Sequence, residues 1–276
     1  ERELAGKNTQ ASGTAVRVTG LELSGHGRIL AIGTSGSGHG GILVAAPGEF
    51  GNKSIRRLLE ADICALDLAP NGESLAFATA DGAVHVRSTA KQSSQGAPIE
   101  VRSAPEHCAL AFDNQRPRTL AVSTASGIAH WPTAGGAVRY SATSRSPEVI
   151  RYSATGQFMA TLTQGKFGPG RLEIWSRAGQ HHGMDLDQSL SSLAYAPDGS
   201  LIAVGAAGVV QLVNPRRLES LQRLILSSAG SWSPPVAITA DGWLAVGGEG
   251  SVWLWDISPL ATADRDSAIR DSADRD

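Results

Sequence analysis

Gly36-Ser37-Gly38-His39-Gly40-Gly41 has the G-x-G-x-x-G spacing of a phosphate-cradling loop and follows the strand-like run from Ile29 to Thr34. Such a loop must open a helix whose N-terminus holds a pyrophosphate. Here it leads into Ile42-Leu43-Val44-Ala45-Ala46, a short β-type run stopped by Pro47, so the glycines read as a hairpin loop. His181-His182-Gly183-Met184-Asp185-Leu186-Asp187 gathers metal-capable side chains, but adjacent histidines on an extended backbone point to opposite faces. The segment reads as an inter-blade surface loop without a metal. Cys64 and Cys108 are the only cysteines, lack C-x-x-C spacing, and read as small core residues. His85 and His130 occupy equivalent places in a repeat and read as packing or hydrogen-bonding groups between blades. No Ser, His and acid grouping stands out, and no cofactor is expected.

Composition narrows the class. The 276 residues carry 24 Lys+Arg against 26 Asp+Glu, a net charge of −2, so no global field attracts nucleic acid or an anionic membrane. Apolar residues make up 41%, and with 32 Gly and 13 Pro the chain is too apolar for disorder and rich in turns. No apolar run reaches the roughly 18 residues of a membrane span. The first residues show no signal-peptide core, and a cytoplasmic location is expected. The missing initial Met suggests a piece of a longer or processed polypeptide.

These side chains must be held by a repeated element. Leu75-Ala76-Phe77-Ala78-Thr79-Ala80-Asp81-Gly82 aligns with Leu120-Ala121-Val122-Ser123-Thr124-Ala125-Ser126-Gly127, and Cys64-Ala65-Leu66 with Cys108-Ala109-Leu110. Similar anchors at 30, 75, 120, 159, 202 and 244 lie 45, 45, 39, 43 and 42 residues apart. Each unit alternates strand-length apolar runs with glycine turns: Leu193 to Ala196, Pro197-Asp198-Gly199, Ser200 to Gly205, then Ala207-Gly208 and Val209 to Val213. Arg216–Leu226 has helical spacing at Leu218, Leu221 and Ile225, but Pro215 and the repeat phase favour a turn and an outer strand. Four strands per unit of about 43 residues is the size of a propeller blade.

Val252-Trp253-Leu254-Trp255-Asp256 and the turn Ala196-Pro197-Asp198-Gly199 resemble the third strand and first turn of WD40-family repeats. The resemblance covers roughly residues 16 to 258. It implies an all-β propeller of six four-stranded blades, with a seventh possible if part of the chain is missing. Trp-Asp occurs once and no unit opens with Gly-His, so blade cohesion is expected from apolar packing rather than the family's polar network. The implied domains are 1–15, an N-terminal segment able to supply a closing strand, 16–260, the propeller, and 261–276, a polar Arg/Asp/Ser tail.

Function follows from what is present and what is not. Some six-bladed propellers are hydrolases or lactonases with a metal in the channel, but Asp67 is nearly alone among acids on the innermost strands. A non-catalytic interaction or sensor scaffold is therefore expected. Its partner would be another protein or another domain of the same polypeptide, in the manner of bacterial signalling proteins, and a small molecule is not expected. The turns between second and third strands are the candidate binding loops: His39, Asp81, Ser126, Lys166, Phe167 and Glu249. Lys166 and Phe167 pair a cation with an aromatic at the tip of an enlarged loop, which suits a protein-binding anchor. The alternative is a hydrolase or lactonase site at the channel mouth.

Overall fold

A computed structural model describes residues 16–24, 28–36, 40–45, 56–89, 94–100, 108–116, 118–143, 145–165, 168–186, 190–226, 234–248, 251–258 and 260. Each unit folds as an antiparallel meander. The first blade is β1 (Arg17–Leu23), β2 (Leu30–Ser35), β3 (Gly41–Ala45) and β4 (Arg56–Leu59), and the second is β5 (Ile63–Leu68), β6 (Ser74–Thr79), β7 (Ala83–Ser88) and β8 (Ser94–Glu100). The third is β9 (Leu110–Phe112), β10 (Thr119–Thr124), β11 (Gly127–Pro132) and β12 (Arg139–Ala142), and the fourth is β13 (Val149–Tyr152), β14 (Phe158–Gly165), β15 (Gly168–Ser176) and β16 (His181–Leu186). The fifth is β17 (Leu190–Tyr195), β18 (Ile202–Ala206), β19 (Val209–Asn214) and β20 (Glu219–Ile225). The sixth has three strands among the described residues, β21 (Val236–Ile238), β22 (Trp243–Gly248) and β23 (Ser251–Asp256). First strands pack in order, β1 on β5, β5 on β9, β9 on β13, β13 on β17 and β17 on β21. The architecture is an all-β six-bladed propeller. Among the described residues no helix is long and apolar enough to cross a membrane.

Two sequence expectations change. His181–Leu186 is not an inter-blade loop but β16, the outer strand of the fourth blade, paired with β15 from Trp175↔His181 to Gly170↔Leu186. Cys64 and Cys108 are not separate core residues but a disulfide, with Cα atoms 5.9 Å apart, tying the second blade to the third. Repetition explains the pairing, because equivalent positions on adjacent first strands come together wherever blades pack.

The turn after β19 shows how local chemistry overrides helical spacing. Asn214 Oδ1 accepts the N–H groups of Arg216 and Arg217 at 2.8 and 3.1 Å, and Leu218 adopts a φ of 54° while its N–H bonds Asn214 O. A non-glycine residue in that region breaks a right-handed helix, and the chain returns as β20.

Apolar side chains fill the spaces between blades. Phe77 and Ile63 pack with Ile42 between the first and second blades, and Phe112 and Leu120 with Val84 and Val86 between the second and third. Ala109, Ala111 and Ala121 meet Ile150 and Met159 between the third and fourth, with Tyr152 and Trp175 packed against them. Close approach also dictates residue size. A Cβ on Gly205 would lie 2.2 Å from Pro234 O in the next blade and 2.2 Å from Ser192 Oγ. Because one of these atoms is backbone, Gly205→Ala is expected to lower stability by about 2 kcal/mol through overpacking, read from a urea denaturation midpoint.

The two ends of the ring are less covered. Val18, Leu21 and Leu23 on β1 are 58%, 59% and 53% exposed, and Val252 and Leu254 on β23 are 67% and 62% exposed. Trp253 and Trp255, on the other face of β23, pack against the core shared by the fifth and sixth blades. The closing-strand candidates, 1–15 and 261–276, lie outside the described residues.

Candidate functional site

Antiparallel meanders place the turns between second and third strands on one face of the ring. Of the residues nominated there, His39, Lys166, Phe167 and Glu249 lie outside the described residues. Asp81 and Ser126 sit in tight turns. Asp81 Oδ1 accepts Thr79 Oγ1–H and the Ala83 N–H, and these bonds hold its carboxyl below the usual carboxylate range. Its charge serves the turn. Beside it a shallow hollow of about 300 Å³ is bounded by Asp62, His85 and Arg87, with His85 stacked on Phe77 at 5.1 Å. Burial, helped by Arg87, pushes His85 below its ordinary value.

The opposite face carries a larger feature, a groove of about 660 Å³ between the third and fourth blades. Strand register explains it. On the fourth blade Tyr152, Met159, Trp175 and His181 form one cross-strand row, and on the third the facing row is Ala111, Ala121, His130 and Arg139. The groove opens at the rim of this interface, lined by His130 and Arg139 on one side and Tyr152, Met159 and Trp175 on the other, while Ala111 and Ala121 are buried against Ile150 and Met159. The first turn of the third blade widens it, because Asp113-Asn114-Gln115-Arg116 replaces the glycine turn found at Gly72, Gly156, Gly199 and Gly242.

Polar contacts fix the groove walls. Asp113 accepts Arg177 Nη2 at 2.8 and 2.9 Å on its two oxygens, and Oδ1 also accepts the N–H groups of Gln115 and Arg116. Its side chain is 9% exposed and that of Arg177 is 32% exposed. Arg177→Met is expected to lower stability by about 2 kcal/mol, less than for a fully buried pair, because it strands a desolvated carboxylate. Asp113→Asn in the same background should recover part of the loss in thermal or urea denaturation.

His130 Nε2 lies 3.0 Å from Ser141 Oγ, and its Nδ1 is 3.5 Å from Tyr152 OH. This has the outline of a nucleophile and its base, but the third member is a phenol. Burial pushes His130 down, and burial reinforced by Asp113 pushes Tyr152 up, so both stay neutral near pH 7. Tyr152 offers His130 a neutral phenol, and the carboxylate of Asp113 acts on the ring through space, against the effect of burial. Trp175 is stacked on His181 at 4.5 Å, and Tyr140 at the rim is 72% exposed.

The channel holds a third arrangement. In every blade an alanine of the second strand, Ala31, Ala76, Ala121, Ala160, Ala203 or Ala245, is paired with a first-strand residue. Those partners are Glu22, Asp67, Ala111, Arg151, Ala194 and Ala237. Arg151 of the fourth blade bridges to Glu22 of the first at 3.0 Å, a link between non-adjacent blades. Asp67 Oδ2 accepts the Phe112 N–H at 2.6 Å. Burial first, then the like charge of Glu22, raises Asp67 to about 7, and burial raises Glu22 against the pull of Arg151. Asp67 is therefore not alone, but the positive charge beside the two carboxylates is a guanidinium. Among the described residues no three His, Cys, Asp or Glu side chains are grouped to hold a metal.

Solved structures share this architecture. The β-propeller domain of Cps50 (Swd1) from Myceliophteria thermophila superposes with a TM-score of 0.65 at 14% identity, covering 88% of this chain and 84% of that one. The fold is that of a WD40-like β-propeller. Hydrazine synthase of Kuenenia stuttgartiensis superposes on this WD40-like propeller with a TM-score of 0.70 at 18% identity, covering 94% and 83% of the two chains. No protein-family model matches the sequence, and no curated protein matches it either. The divergence fits a propeller held by apolar inter-blade packing: Asp256 of the Trp-Asp pair accepts the Ser258 N–H and Oγ–H, closing a local turn.

Sequence reasoning passed over the groove and two channel charges. Glu22 was accessible to it, because alternation along Leu21-Glu22-Leu23 sets it apart from its apolar neighbours. Arg177 and Asp113 were not, because no sequence period links a turn of one blade to a turn of the next.

Proposed function

We propose that the chain is a non-catalytic protein-interaction scaffold, docking through the outer sheet faces of its first and last blades. One observation carries this reading. Of the ten exposed large hydrophobic side chains among the described residues, Val16, Val18, Leu21, Leu23, Trp243, Val252 and Leu254 belong to these two blades and their borders. Clustered exposed apolar residues mark contact surfaces, whereas isolated ones do not. The β23 edge, paired only to β22 among the described residues, also offers backbone groups to an added strand. The partner that fits is a β-sheet surface of another protein or of another domain of the same polypeptide. The propeller architecture shared with Swd1 suits such a role.

The test is photo-crosslinking in lysate of the source organism, with a benzophenone amino acid at position 21 or 254 and, as control, at position 126. A common cross-linked protein at 21 and 254 that is missing at 126 is the expected result. Labelling at 126 alone would move the interface to the second-to-third-strand turns.

The disulfide bears on location. Cytosolic thiol pools reduce such bonds, so the bond and a cytoplasmic setting lead to opposite results. Protein denatured without reductant, straight from its cell, is expected to show no reactive thiol; two thiols would place it in a reducing compartment.

A further inference from the structure

The geometry points to a second binding site: the groove between the third and fourth blades takes a small anion carrying a flat aromatic or heteroaromatic ring. Its volume of about 660 Å³ is that of a small-molecule site. Its charge is unbalanced. Arg116, Arg139 and Arg177 line it against the single carboxylate of Asp113, whose two oxygens are already engaged by Arg177 and two backbone N–H groups. Arg116 and Arg139 are exposed and have no acidic partner among the described residues. A cation would meet two arginines and a saturated carboxylate, whereas an anion would meet unused donors.

The apolar part of the ligand is argued from the walls. Tyr152, Phe158 and Trp175 line the groove, and Tyr140 stands 72% exposed at its rim, with no core to account for it. Such rings accommodate a flat ring by stacking, and arginine planes do so as well. Ser141 and Tyr152, held by neutral His130, add hydrogen-bonding groups that fix orientation without adding charge. The site does not depend on the apolar faces of the end blades, so its test is separate from theirs.

The probe is 1-naphthyl phosphate, titrated calorimetrically into the whole chain beside 1-naphthol and inorganic phosphate. The expected result is saturable binding at least tenfold tighter than either control, weakened about tenfold in Arg116→Gln and in Arg139→Gln, the scale of one lost charge-assisted hydrogen bond. Both arginines are exposed, and a circular-dichroism melt confirms each variant's fold. A variant that fails the melt is replaced by Tyr140→Ala, which should weaken 1-naphthyl phosphate more than inorganic phosphate. No saturable binding, equal affinity for 1-naphthol, or affinity unchanged in the folded variants would overturn the assignment.

Discussion

Replacing Cys64 and Cys108 together by alanine is expected to lower the folding free energy by about 4 kcal/mol, the loop-entropy value for their spacing. The bond closes a loop of 44 residues in separation, which contains most of the second blade and the connection to the third. Without it the unfolded chain regains that freedom, while β5 and β9 keep their apolar contacts. The double variant should therefore fold to the same circular-dichroism spectrum with a lower urea midpoint and a similar dependence on urea. Wild-type protein with reductant should match it. Identical midpoints with and without reductant, together with two titratable thiols, would show that the cysteines only pack.

The second large effect is a gain, and it depends on pH. Asp67 has an unperturbed value of 3.8 and is raised to about 7 in the folded channel. Between those values the native state holds a proton that the unfolded chain has released, so stability falls as pH rises through this window and is flat above it. Asp67→Asn removes the dependence. The variant should match wild type near pH 4 and exceed it by about 2 kcal/mol at pH 8, roughly half the full value of such a shift because Asp67 and Glu22 share the channel with Arg151. Amide oxygen can still accept the Phe112 N–H, so the neighbouring blade keeps its anchor. Arg151→Met should act in the opposite direction above pH 7, leaving Glu22 without its ion pair. Denaturation curves at pH 4, 6 and 8 for the three proteins check both signs. An Asn variant no more stable than wild type at pH 8 would mean that Asp67 is ionised without strain.

The fold was legible because its determinants are local and repeated. An alanine recurs at the same place in every second strand, from Ala31 to Ala245, and glycine turns such as Pro197-Asp198-Gly199 punctuate the strands. The turn before β20 was also readable, since Pro215 and the repeat phase oppose a helix, and the structure adds the Asn214 side chain that caps the turn. The site was legible only in part. Asp81 and Ser126 fall in second-to-third-strand turns as expected, but the carboxylate of Asp81 is consumed by its own turn. The groove arises from the relation of two successive blades, His130 and Arg139 of one facing Tyr152 and Trp175 of the next, and neither set is unusual alone. The Cys64–Cys108 bond was hidden for a similar reason: 44 residues separate the cysteines, and only the stacking of units brings them within reach.

The central claim is that the end blades form the docking surface. It is tested most directly by the Kd of the purified chain for the partner cross-linked at positions 21 and 254. Wild type is compared with Leu21→Asp/Leu254→Asp and with Lys166→Glu/Phe167→Ala. Both leucines are more than half exposed, at 59% and 62%, so the first variant keeps its fold. The expected result is a loss of at least about a hundredfold in affinity for the leucine variant, the scale of losing two buried apolar anchors, with the loop variant close to wild type. Full affinity in the leucine variant and loss in the loop variant would contradict the claim and place binding at the connection between β14 and β15, which the structure shows to be not an enlarged loop over 163–170 but the end of a long hairpin paired as far as Gly165↔Gly168.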